Sequence, residues 1–424
     1  MLRGVAAVGG GGVLYLTPMV FHRASLSASD LGVALACAAL LGTLSRLTCG
    51  MLLDRGFSTS LPVALAAVAA LAGDGLLLSG NGLGAFLPGL LLQGFALGLY
   101  WPAIELAVAL CCEPIPSSRA YALVRSADAA GVALGALLGA GLAALQQLRG
   151  IYAVDMLMLA LLLLLLRRRP LPAAASGPFQ RRRGAWHRLL PPLLPLLLVS
   201  VLATAMPALM QSALPLDLVR GGLAREPMAE SLGASLIGLQ LALLMLLQWP
   251  LGRWLARKPV ARGLGLSLIC CAVGCLLLAA SALSPHGLLL VVLAQLPLAL
   301  GEAAFLPVAT EAVVELAPSD QRGLAMALFS QCFAVSALLA PLIAGWMLDR
   351  HGHGAVLWLL TALACLLGLW PVAALGAQQR RRLLRVLSGE EHDDGSGVLF
   401  RFEEPSEPGS RGDDGSGRRS GGTD

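Results

Sequence analysis

The chain has 424 residues, of which 57% are hydrophobic and only 13% charged, whereas about a quarter of a soluble domain is charged. So few charges cannot coat the roughly two or three water-soluble domains that such a length would make, so most of the surface is expected to meet lipid. The net charge of +5 is almost wholly arginine (Lys258 is the only lysine), and it falls between apolar runs rather than on one face, which argues against a nucleic-acid partner.

Twelve apolar runs follow in chain order, at 4–21, 29–53, 61–80, 84–111, 121–146, 150–166, 190–214, 230–254, 262–283, 287–313, 323–348 and 355–376. Each can cross a hydrocarbon layer of about 30 Å as a helix. Helix is the expected state, because a chain in lipid must satisfy its backbone N–H and C=O groups within its own segment. A β-barrel would need alternating strands, and the six leucines at 161–166 do not alternate. The glycine-rich start, Met1–Val20, has the look of a signal peptide without a convincing small-x-small cleavage site, and it is read as the first span. The predicted fold is an all-α integral membrane protein of twelve transmembrane helices.

The basic residues favour one side by about three to one if the N-terminus is cytoplasmic. That predicts a multi-pass protein of the cytoplasmic (inner) membrane with both termini inside. The expected organisation is a six-helix bundle over 1–166, a basic cytoplasmic linker over 167–189, a second bundle over 190–377 and a largely disordered cytoplasmic tail over 378–424. Within the tail, the basic segment Gln378–Leu387 suits an anionic lipid surface. The nine cysteines lie in or beside apolar runs without metal-ligand spacing, and they read as small apolar residues.

Two stretches about 200 residues apart share an order of features. Leu97-Gly98, Trp101-Pro102 and Arg119 in the first half answer Leu300-Gly301, Leu306-Pro307 and Arg322 in the second. Gly50 to Arg55 likewise answers Gly252 to Arg257. Parallel six-helix repeats are one way to build an alternating-access carrier, with the solute between the halves.

At this point the sequence resembles the major facilitator superfamily. Gly50, Leu52, Asp54 and Arg55 are similar to the G-x-L-x-D-R signature after the second span, although Phe57-Ser58-Thr59 stands where its basic tail would be. The resemblance implies a latch on the cytoplasmic side through Asp54 and Arg55. Gln93-Gly94, Pro102, Glu105 and Arg119 resemble the family's fourth helix, though Leu90 stands where a basic residue is usual. Gly131, Gly135 and Gly139 resemble the antiporter-associated fifth helix without its proline. Their four-residue spacing lines one helix face and suits close helix packing.

Acids within spans are candidates for function because burying a charge in lipid is expensive, about 2.5–3.5 kcal/mol on insertion scales. Five are present: Asp74, Glu105, Asp128, Asp155 and Glu302. The resemblance implies that spans one, four, seven and ten line the cavity, which singles out Glu302 and Glu105. Glu302 is expected to hold a cationic or hydroxylated solute, or a proton; a packing hydrogen bond to a neighbouring helix is the plainer alternative. Tyr15, Tyr100, Trp101 and Gln211 fall on the same four spans and could supply aromatic and polar walls, or anchor at the headgroups. Asp128 is expected to pair with Arg125, three residues away.

No catalytic or nucleotide-binding motif is found in the sequence. A non-enzymatic secondary transporter is therefore expected, with no cofactor and no metal. Its expected partners are a small-molecule solute, a proton and membrane lipid, and a monomer is expected. Sparse intramembrane charge suits export of small hydrophobic or amphipathic compounds, with proton coupling as the expected drive, and the Leu-, Ala-, Gly- and Arg-rich composition with one lysine suggests a bacterial source. The alternatives are an uptake carrier for a polar metabolite, and a non-transporting membrane assembly or binding factor of the same fold.

Overall fold

A computed structural model describes residues 2–111, 117–172, 186–255, 257–317 and 322–387. Among the described residues the chain forms fourteen helices and no strand. The first half holds α1 (Leu2–Arg23), α2 (Ala28–Asp54), α3 (Ser60–Ser79), α4 (Leu83–Cys111), α5 (Ser117–Ala144) and α6 (Gly150–Arg168). The second half holds α7 (Trp186–Ser212), α8 (Leu214–Arg220), α9 (Glu230–Leu255), α10 (Val260–Ala282), α11 (Gly287–Leu316), α12 (Arg322–His351), α13 (Ala355–Leu367) and α14 (Leu369–Leu387). Twelve spans are long and apolar enough to cross a membrane, the last being α13 and α14 together, from Ala355 to Arg380.

The apolar runs read from the sequence coincide with these spans, and two details differ. A short helix, α8, follows the seventh span, and it has too few residues to show in an apolar window. At the other end, α14 runs on to Leu387, so Gln378–Leu387 is helical. Residues 173–185 of the linker and 388–424 of the tail lie outside the described residues.

The helices pack in a pattern that repeats after six spans. In the first half α1 lies against α5 and α6, α2 against α4, and α3 against α4 and α6. In the second half α7 lies against α12 and α14, α9 against α11, and α10 against α11 and α13. The halves meet mainly where α2 faces α12 and α5 faces α9.

Small residues set how closely these pairs approach. Gly131, Gly135 and Gly139 seat α5 on α1: a Cβ at Gly135 would strike the Val8 carbonyl and the Gly11 and Gly12 backbone. That glycine seam lies inside the first half. The seam between halves uses other residues, with Gly32 on the Pro341 carbonyl and Gly345 on the Ala28 carbonyl.

The two ends of the bundle are called here the N-terminal face, where α1 begins, and the far face, where it ends. At the far face Ser27 opens α2 with a reciprocal cap: its hydroxyl accepts from the Asp30 N–H at 2.9 Å, and the Asp30 carboxylate accepts from the Ser27 N–H at 3.2 Å. The halves are joined beside it. Asp349 at the end of α12 accepts from the N–H groups of Ala28 and Ser29 at 3.0 and 2.7 Å, and from Arg220 at 2.9 Å. Arg23 at the end of α1 bonds Glu230 at the start of α9 at 2.7 Å. It also bonds the Gln146 side chain at 2.8 Å.

Candidate solute-binding site

Three cavity candidates from three different spans come together. Tyr15 on α1 is buried, and the Gln211 side chain of α7 lies near its hydroxyl. Glu302 on α11 is close enough to act on Tyr15 electrostatically. Among the described residues no basic side chain forms an ion pair with Glu302. The acid, the amide and the phenol stand on three helices that pack together, α7 touching both α1 and α11 at the junction of the halves.

The local sequence explains why α11 and α7 can present these groups. Glu302 stands near the middle of the thirty-residue α11, between Pro297 and Pro307. Each proline removes a backbone N–H and leaves the carbonyl four residues earlier without its helical partner. Between them, the Gly301 carbonyl accepts from the Ser267 hydroxyl at 2.7 Å, which ties this stretch of α11 to α10. Pro207 stands one turn before Gln211 on α7. Toward the far face the group is covered by the Arg23–Glu230 and Asp349 contacts.

Tyr100 and Trp101, the aromatic candidates on α4, are placed elsewhere. They form a box around Arg3 at the start of α1, with the guanidinium 3.9 Å from the Trp101 ring centre and 5.3 Å from that of Tyr100. Arg3 bonds Asp128 of α5 at 2.6 Å. Arg3 is thus a partner of Asp128 that the sequence spacing did not suggest. Sequence spacing points to a neighbour on the same helix, whereas the glycine seam brings the α1 start across to α5. The Arg125 side chain lies outside the described residues.

Glu105 is exposed on α4, one turn nearer the N-terminal face than Trp101. Of the loop signature, Gly50 has open space where a Cβ would stand, and Arg55 is exposed. Asp54 closes α2, and its side chain lies outside the described residues.

Two polar groupings were not anticipated as groupings. Asp74 of α3 and Asp155 of α6 meet in the interior of the first half. Asp217 of α8 forms a buried pair with Arg225 at 3.1 Å, and it also accepts from the Gly354 N–H and the Trp358 indole N–H, each at 3.0 Å. The sequence signal for the first was two acids inside apolar runs. The second had none, because both its members fall between the apolar runs 190–214 and 230–254.

This architecture is that of a multi-pass membrane carrier: two six-span halves, closed over one face, with polar groups gathered where they meet. The family model of the major facilitator superfamily matches residues 2–224 and 200–401, and the chain belongs to that superfamily. Among solved structures it is similar to the nucleoside transporter NupG, with a TM-score of 0.72 at 13% identity, covering 88% of this chain and 97% of that one. It is also similar to a POT family transporter in complex with 5-aminolevulinic acid, with a TM-score of 0.74 at 12% identity over 89% and 95% of the two chains. A structure from work on proton dependent oligopeptide transporters aligns with a TM-score of 0.72 at 15% identity, over 90% and 98%. No curated protein sequence matches. At these identities the structural likeness speaks for the fold.

Proposed function

We propose that this secondary transporter carries a small polar or cationic solute, held between its halves by Glu302, Gln211 and Tyr15. The observation that carries the reading is the convergence of these three side chains from α11, α7 and α1. An acid without a basic partner, an amide and a phenol can together accept from and donate to a hydroxylated or amino-bearing solute. The nucleoside and peptide carriers of similar fold are compatible with such a solute. This grouping favours a hydrogen-bonding solute over a purely apolar one, and so favours carriage of a polar metabolite over export of a hydrophobic compound. In this reading a proton is the coupling ion and Glu302 its carrier within the cavity. The protein works as a monomer in the cytoplasmic membrane with both termini inside, its halves are the bundles 1–166 and 190–377, and it needs no cofactor and performs no covalent chemistry.

The test is the melting temperature of the detergent-purified protein with nucleosides, short peptides, amino acids, sugars and lipophilic cations. A ligand at about 100 times its Kd adds about 2.7 kcal/mol to the folded state. A shift with one class that is lost in Glu302→Gln and weakened in Gln211→Ala is expected. Transport of that class into and out of proteoliposomes under an imposed pH gradient then gives the direction. No shift with any class, together with unchanged melting in both variants, would overturn the assignment and favour an assembly or binding factor.

A further inference from the structure

A second acidic grouping stands apart from the cavity. Asp74 is fully buried and Asp155 is 4% exposed, and the two carboxyl groups face each other where α3 packs against α6. Asp74 lies five residues before the end of α3 at Ser79, and Asp155 five residues after the start of α6 at Gly150. That is about 7.5 Å along each helix from the far face.

Two carboxylates cannot hydrogen-bond to each other, because each offers only acceptors. A proton on one supplies the missing donor and removes the repulsion of two buried like charges at low dielectric. Among the described residues no cation forms an ion pair with either acid. From α4, the Gln93 amide donates to Asp74 Oδ1. The other Asp74 oxygen, Oδ2, is buried with no donor among the described residues. From α1, Gly9 faces Asp155 so closely that a Cβ there would collide with the carboxylate. On α6 the titratable and charged neighbours are Tyr152 and Arg149. Tyr152 donates to the Thr17 hydroxyl at 3.2 Å. Arg149 is turned to the Leu78 carbonyl and the Asn81 side chain at 3.4 and 3.2 Å.

We infer that Asp74 and Asp155 form a proton-binding site, a carboxylic acid and a carboxylate sharing one proton, separate from the cavity acid Glu302. Its ligand is H⁺ alone: the Gly9 backbone closes the α1 side, and Gln93 occupies the α4 side. Because the pair bridges α3 to α6 and rests on α1, which carries Tyr15, loss of the shared proton would place two like charges in contact beneath the cavity wall. The pair therefore ties the packing of α1, α3 and α6 to proton occupancy.

Infrared spectroscopy of the purified full chain tests this, by following the carbonyl band of protonated carboxyl groups at neutral pH. Protein grown with carboxyl-¹³C aspartate separates aspartic from glutamic acid without any substitution. A protonated band that moves with the aspartate label, persists in Glu302→Gln and is lost in Asp74→Asn/Asp155→Asn is expected. A neutral-pH spectrum with no label-sensitive band would overturn the inference, as would an unchanged label-sensitive band in a folded double variant. If the double variant does not fold, the labelled unsubstituted protein decides alone.

Discussion

Two aspartate–arginine pairs lie close together at the far face and differ in how much water reaches them. Asp217 and Arg225 are 0% and 2% exposed and join parts of one half, α8 to the loop that follows it and to the starts and ends of α13 and α10. Asp349 and Arg220 are 26% and 17% exposed and, with the α2 N–H groups, join one half to the other. A dry pair cannot be opened without leaving a charge stranded, whereas a wet pair can exchange its partner for water at little cost. The dry contact is thus placed where the structure must stay whole, and the wet one where an alternating carrier must part. The Arg23–Glu230 bond follows the second pattern: it borders a recess of about 380 Å³ lined by His22, Gln146 and Ser231 among others.

This contrast can be broken by substitution, and the sizes should fall in order. Asp217→Ala strands Arg225 and should destabilise the protein by about 3–5 kcal/mol, seen as a large drop in melting temperature or a failure to purify folded protein. A stability within about 1 kcal/mol of the unsubstituted value would show that the pair is not dry.

Asp349→Asn should barely move the melting temperature, by about 1 kcal/mol or less, and should instead favour opening of the far face. The labelling rate of a cysteine placed at Ser231, read with a membrane-impermeant maleimide, should rise by up to about tenfold. Glu230→Gln should give the smallest effect, a few tenths of a kcal/mol that fades further in high salt. If Glu230→Gln proved more damaging than Asp217→Ala, the division into permanent and releasable contacts would be wrong.

The spans were legible because lipid imposes a simple rule on the sequence, and a run such as 287–313 coincides with the observed span Gly287–Val313. Partners were less so. The i, i+3 rule looked only along α5, to Arg125, and did not show that the seam of Gly131 and Gly135 with α1 brings Arg3 to Asp128. Asp74 and Asp155 each stood out as acids in lipid, yet nothing local to either says that α3 and α6 are neighbours. Tyr15, Gln211 and Glu302 could be gathered into one list because the repeat and the family resemblance say which helices line the cavity. The same reasoning placed Tyr100 and Trp101 in that list. It could not foresee that Arg3, at the chain's own first turn, would occupy their faces.

The glycines of α1 carry a consequence for how the protein is made. Gly9, Gly10, Gly11 and Gly12 give the first span a weak helical tendency of its own, each being about 0.8–1 kcal/mol poorer than alanine. Three of them are spent on contacts with residues much later in the chain: Gly11 on Val132, Gly12 on Gly135 and Ile151, and Gly9 on Asp155. Helix α1 therefore finds its seat only after α5 and α6, which lie far later in the chain, have been synthesised.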